Sequence, residues 1–133
     1  MCSSDLDDAS ILLAEGIIFG RSAMGESVRE GRLIDRWRVR RSGRLLFAET
    51  LRLEGAIART LAEAAVTAGA RAIATVLVVP AGDAQVATIR EAGDHFVGEV
   101  GMSSWNGLAV VRLCANDGAA STEIGRASCR ERV

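Results

Sequence analysis

Among its 133 residues the chain has no tyrosine, three phenylalanines, two tryptophans, one proline, one histidine and three cysteines. It also has no lysine, so all 16 basic residues are arginines. Each shortage excludes something. A single histidine without a paired-cysteine motif does not make a recognisable zinc site. With aromatics at 4%, platforms for stacking sugars or bases are scarce. The formal net charge of −1 argues against a dedicated nucleic-acid binder, which carries a clear basic excess. The longest apolar runs, such as Ala74–Pro80, fall far short of the ~20 residues that a membrane-spanning helix needs. No basic start leads into an apolar segment, so no secretory signal is read. What is present is a globular balance, 49% hydrophobic and 25% charged, in a length suited to one small domain.

The two ends read differently from the rest. Residues 1–6 (MCSSDL) and 123–133 (EIGRASCRERV) look like translations of short synthetic sequencing adapters. Fold reasoning therefore rests on residues 7–122, expected to be an internal piece of a longer protein. Cys2 and Cys129 fall in the adapter-like ends, which leaves Cys114. A lone cysteine on an apolar strand reads as a small buried hydrophobe, and the expected compartment is a reducing cytosol.

Hydrophobic patterning gives the order strand, hairpin, helix, strand, helix, strand, strand, a β-rich α+β fold with two short helices. Ser10–Phe19 is the first strand, followed by a polar connection over Gly20–Gly31. Arg32–Arg40 and Arg44–Leu53 alternate around Arg41-Ser42-Gly43 as a hairpin. Ala-rich Gly55–Gly69 suggests a short helix, and Ala72–Val79 a buried strand stopped by Pro80. Asp83–Ala92 reads as a helix with Asp83 as N-cap, Gly93 as C-cap and His95 at its end. Phe96–Val100 and Leu108–Cys114 are the last strands, with Met102–Gly107 as the turn between them.

The hairpin register decides which side chains share a face. A three-residue loop, Arg41–Gly43, pairs Arg40 with Arg44 and sets Trp37 opposite Phe47. It also sets Asp35 directly across from Glu49 on the apolar face, and like charges in that position repel. Alternation along the first strand puts Glu15 on one face with Ile11, Leu13, Ile17 and Phe19. Three acids so placed need a partner: a shared proton, an arginine, water or a cation. Three readings stay open for Glu15, Asp35 and Glu49. They are satisfied buried acids, a cation path, or a general acid/base pair of the kind a retaining glycosidase holds roughly 5 Å apart. The other side of the hairpin carries Arg36, Arg38 and Arg40, either a solvated strand face or an anion site. Gly16, Gly20 and Gly25 do not follow a strand-to-helix GxGxxG pattern, and no nucleophile elbow surrounds His95.

LLAEGIIFGRSAMGE (Leu12–Glu26) resembles the GR-x-x-x-GE stretch of the UreD (UreH) family of urease accessory proteins. Gly31–Gly55 is similar to that family's strand–turn–strand block, and Ala74–Pro80 and Ser103–Leu113 to its later apolar strands. The resemblance implies a portion of a β-superhelical scaffold that is not itself an enzyme. It implies cytoplasmic work with UreF and the GTPase UreG in delivering nickel to apo-urease, with no tightly bound cofactor, no nucleic acid and no membrane. It also implies an internal passage with acidic residues at Glu15 and Glu49; Asp35 joins them by the strand argument. Carboxylates hold nickel weakly compared with nitrogen and sulfur ligands, which suits transit better than storage. The resemblance also implies that the family's N-terminal half and a helix expected after Asp117 lie outside this sequence.

Overall fold

The computed structural model describes residues 2–6, 10–20, 29–64 and 66–116, with the backbone alone for the first segment. The connection over Gly20–Gly31 and the segment 123–133 thus lie largely or wholly outside the described residues. Seven strands and two helices follow in the order β1 (Cys2–Leu6), β2 (Ile11–Ile18), β3 (Gly31–Arg41), β4 (Arg44–Gly55), α1 (Ile57–Ala62), β5 (Ala72–Val79), α2 (Asp83–Asp94), β6 (Glu99–Trp105) and β7 (Leu108–Ala115). This is the β-rich, two-helix content expected from the sequence.

The strands form two sheets, β1-β3-β4 and β2-β5-β7-β6. All pairs are antiparallel except β1 with β3. The sheets pack face to face. Trp37, Val39 and Phe47 of the three-stranded sheet meet Leu77, Val79, Leu108 and Val110 of the four-stranded one in a single buried cluster. The alternate residues of β5 and β7, among them Val76, Val78, Ala109 and Val111, cover the opposite face with Val86 and Ile89 of α2. Strands β5 and β7 are therefore covered on both sides, which is why they read as apolar runs broken only by Thr75 and Arg112. A third cluster, Phe19, Leu53, Ile57 and Leu61, lets α1 close one end of the sandwich.

The hairpin departs from expectation in an instructive way. Its loop has two residues, Ser42 and Gly43, both at positive φ (49° and 74°), with Arg41 paired to Arg44. That is the primed turn whose twist suits adjoining strands. Leu46 then bulges between the Arg40–Leu45 and Val39–Phe47 pairs, and the ladder continues with Trp37 opposite Glu49 and Asp35 opposite Leu51. The inward residues of β3 and of β4 from Phe47 onwards are as expected, but Leu45, expected to face Val39 on the apolar side, stands opposite Arg40 and half exposed, and Asp35 and Glu49 are diagonal rather than directly opposed. The physical reason is that loop length alone does not set parity, because a bulge resets it within the strand.

Smaller corrections concern the helices and the last turn. The Ala-rich helix stops at Ala62, because the Thr67 hydroxyl (2.6 Å) and the Gly69 N–H (2.8 Å) both donate to the Leu61 carbonyl and fold the chain back. The N-cap of α2 is Gly82, whose N–H donates to the Gln85 side chain (3.1 Å), while Asp83 sits in the first turn. Gly93 lies inside the helix, and His95 is its C-cap. Met102–Trp105 extends β6 rather than forming a turn, which leaves Asn106-Gly107 as the tight connection.

Candidate functional site

Between the two apolar zones of the sandwich lies a polar layer. On the inner face of the four-stranded sheet, Glu15 pairs with Thr75 and Thr75 with Arg112, forming one row across β2, β5 and β7. The corresponding level of the three-stranded sheet holds Asp35 and Glu49. All five side chains line one cleft of about 180 Å³. That is room for several water molecules. Leu51, Leu53 and Ile73 give the cleft apolar walls towards α1, and Cys114 sits at its edge.

The three carboxylates differ in circumstance. Asp35 is the most buried, at 9% exposure, and its Oδ2 accepts a hydrogen bond from Trp37 Nε1 at 2.7 Å. Two residues apart on one strand, these side chains share a face, so the indole meets the acid locally. Glu49 accepts a charge-assisted hydrogen bond at Oε1 from Arg112 Nη2, a contact that ties one sheet to the other. Glu15 is exposed, on the edge strand β2, and no described residue pairs with it. The three acids thus line one cleft, Asp35 buried, Glu49 half-buried and Glu15 exposed. Two of them have the ordinary partners that buried acids require. Among the described residues no group of three His, Cys, Asp or Glu is close enough to hold a metal ion. The cleft is an acidic lining rather than a coordination sphere.

Arg112 is the functional residue that sequence reasoning passed over. Its signal was available: it is the sole charge in the apolar run of β7, so its side chain had to find an acid or water. Trp37, part of the buried core cluster, is also the donor to Asp35. Burial pushes the Cys114 thiol up from its ordinary pKa, with the Glu99 carboxylate adding to the effect. The shift favours the thiol over the thiolate, the form that binds metals.

Arg36, Arg38 and Arg40 do not enter the cleft. They lie on the opposite face of the three-stranded sheet, where Arg38 Nη1 donates to the carbonyls of Trp37 (2.7 Å) and Glu49 (3.1 Å).

The sequence profile of the family described as UreD urease accessory protein matches residues 5–130. The chain belongs to the UreD family. It is 53% identical over 129 residues to the urease accessory protein UreD of Rhodopseudomonas palustris, a match that covers 93% of this chain and 46% of the relative. The UreD of Bradyrhizobium diazoefficiens is 54% identical over 86% of this chain and 42% of its own length. UreD 3 of another Bradyrhizobium species is 56% identical over 84% and 40%. The chain spans less than half the length of the curated relatives it matches. No helix among its described residues is long and apolar enough to cross a membrane.

Proposed function

We propose that this chain is part of a urease maturation factor, a non-enzymatic scaffold that helps deliver nickel to apo-urease together with UreF and UreG. In this reading it forms a portion of a longer β-superhelical protein of the cytoplasm. Nickel is cargo, and no cofactor stays bound. The supporting observation is the convergence of Glu15, Asp35 and Glu49 on one cleft between two sheets, inside a UreD-family chain. Carboxylates in a confined space attract a divalent cation by charge, and their hard oxygens release it readily. Glu15, exposed on the edge strand, is suited to meet the cation first. Asp35, held by Trp37, and Glu49, held by Arg112, are pre-positioned lining.

A carboxylate-pair hydrolase finds less support. Glu49 is committed to Arg112 and Asp35 to an indole N–H, so neither is an obvious free base or nucleophile.

The test is carried out in the intact protein. Glu15→Ala or Glu49→Ala lowers the nickel content of urease while assembly with UreF and urease persists. Melting temperature falls little for Glu49→Ala, because the Arg112–Glu49 pair is partly solvated and such pairs contribute roughly 0–1 kcal/mol. Normal nickel content in both variants rejects the transit role and leaves the acids as structural groups.

A further inference from the structure

Arg112 is a cation inside a cleft whose other ionisable side chains are three acids and one cysteine. It is the one charged residue of β7 and ends the row Glu15–Thr75–Arg112 that crosses the four-stranded sheet. From there it reaches the facing sheet and donates through Nη2 to Oε1 of Glu49. The contact is made at one point. No other hydrogen bond or ion pair joins Arg112 to a described residue, and the second carboxylate oxygen of Glu49 has no described donor. Both side chains keep part of their surface in solvent, 49% for Arg112 and 27% for Glu49. The main chain of Glu49 is better held, because its carbonyl accepts from Arg38 Nη1 at 3.1 Å. Asp35 differs again: a neutral indole N–H meets it, so it has a donor without a countercharge.

We propose that Arg112 is an internal competitor of the transported cation, holding Glu49 when no ion is present, yielding it to an entering divalent ion, and displacing that ion on its return. The proposal rests on the transit role argued above and assigns one residue to the step of release. Three acids lining one cleft repel one another when no cation is near, and together they would retain a divalent ion. A tethered guanidinium answers both. It neutralises one acid, which leaves a formal excess of two negative charges, the complement of one divalent ion. Being carried by the same fold, it stays at high effective concentration beside Glu49. It keeps its charge throughout, so it does not lose the contest by losing a proton. A staple that merely joined the sheets would be better built as a buried, two-point pair. This pair is wetted at both ends and held at one atom, and such pairs exchange easily.

The experiment titrates nickel ion alone into the intact protein, followed by calorimetry, with transfer to apo-urease as a second readout. Arg112→Gln binds nickel roughly threefold to tenfold more tightly than the parent and releases it to apo-urease more slowly. Arg112→Met, equally neutral, gives the same direction, and Arg112→Lys returns the affinity towards that of the parent. Both partners are partly in solvent, so the melting temperatures stay within a few degrees of the parent. In a Glu49→Gln background the gain from Arg112→Gln shrinks below about twofold, because the contested carboxylate is gone. Suppose instead that Arg112→Gln and Arg112→Met leave nickel affinity unchanged or weaken it, while Glu49→Gln weakens binding by the parent. The competitor is then overturned, Arg112 is a staple, and the transit role stands. An equal gain in both backgrounds also overturns the competitor, since Arg112 would act by diffuse repulsion and not through Glu49. If neither Glu15→Ala nor Glu49→Ala alters nickel binding, the transit role itself falls and the competitor falls with it.

Discussion

Protein lies on both faces of the four-stranded sheet, whereas among the described residues it lies on only one face of the three-stranded sheet. In the first, β5 and β7 present apolar residues to the sandwich interior and to α2 alike, and Leu77 and Leu108 are fully buried. In the second, β3 and β4 alternate, with Trp37, Val39, Phe47 and Leu53 inward and arginines outward. The contrast reaches into the interior, where the polar layer draws Asp35 and Glu49 from the alternating sheet and Arg112 and Glu15 from the other. A sheet enclosed on both sides derives its stability from burial. A sheet enclosed on one side keeps polar groups in hand for recognition, and it tolerates acids inside only where a donor from the same strand or the facing sheet meets them.

The sharpest way to break this comparison is to cut a methyl-rich side chain from the doubly covered sheet. Leu77 is fully buried, with Trp37 and Phe47 in the same cluster. Leu77→Ala should cost about 2–5 kcal/mol, read from the midpoint of urea unfolding of the intact protein at unchanged slope. A loss below about 1 kcal/mol would mean that the site collapses freely and that the interior is not close-packed there.

That contrast also explains what could be read beforehand. Ala72–Val79 is visible in the sequence to the residue, because a strand covered on both faces is an apolar run, here broken only by Thr75 and bounded by Arg71 and Pro80. The inward placement of Glu15, Asp35 and Glu49 was legible for the same kind of reason, since alternation fixes the face whatever the neighbours do. The pairing was not legible. The bulge at Leu46 breaks the alternation of β4 once, with Leu45 opposite Arg40 and Phe47 opposite Val39, and the three adjacent apolar residues Leu45-Leu46-Phe47 hide the break in the hydrophobic pattern. Nor does a sequence disclose that Arg112, 63 positions from Glu49, crosses the sheets to it. The ends of the helices were misjudged because tertiary hydrogen bonds, such as Thr67 to Leu61, outweigh the helix propensity of an alanine-rich segment.

A smaller effect sharpens the comparison from the other sheet. Trp37→Phe keeps an aromatic ring beside Phe47, whose centroid lies 6.3 Å away, and removes only the indole N–H that Asp35 accepts. The carboxylate oxygen is left buried without that donor, at a cost of about 1–3 kcal/mol. Adding Asp35→Leu to that variant should recover much of the loss, because a buried acceptor without a donor is worse than none. Equal instability of the single and double variants would place the whole cost in lost ring packing, and Asp35 would then have no special need of Trp37.

The smallest expected effect lies on the outer face, at Glu54. Its carboxyl is held below the ordinary carboxylate pKa, first by the hydrogen bond from Arg52, against an opposing desolvation that outweighs either single charge effect, and with further lowering from the charges of Arg52 and Arg32. Because the folded-state value is depressed, the native chain binds fewer protons than the unfolded chain as pH falls through the carboxylate range. The stabilisation is therefore fully present above the unfolded value and is lost as pH drops towards the folded one. Melting temperature measured from about pH 6 down to about pH 3 should fall slightly less steeply in Glu54→Gln than in the parent, with the two curves converging at the acid end. Salt should erase most of that difference, because both arginines and the acid stand in solvent. By contrast, the loss in Trp37→Phe should survive high salt, since Asp35 is enclosed between the sheets. If the Glu54→Gln difference persists in high salt, this face of the three-stranded sheet is covered in the intact protein, and the contrast between the two sheets disappears.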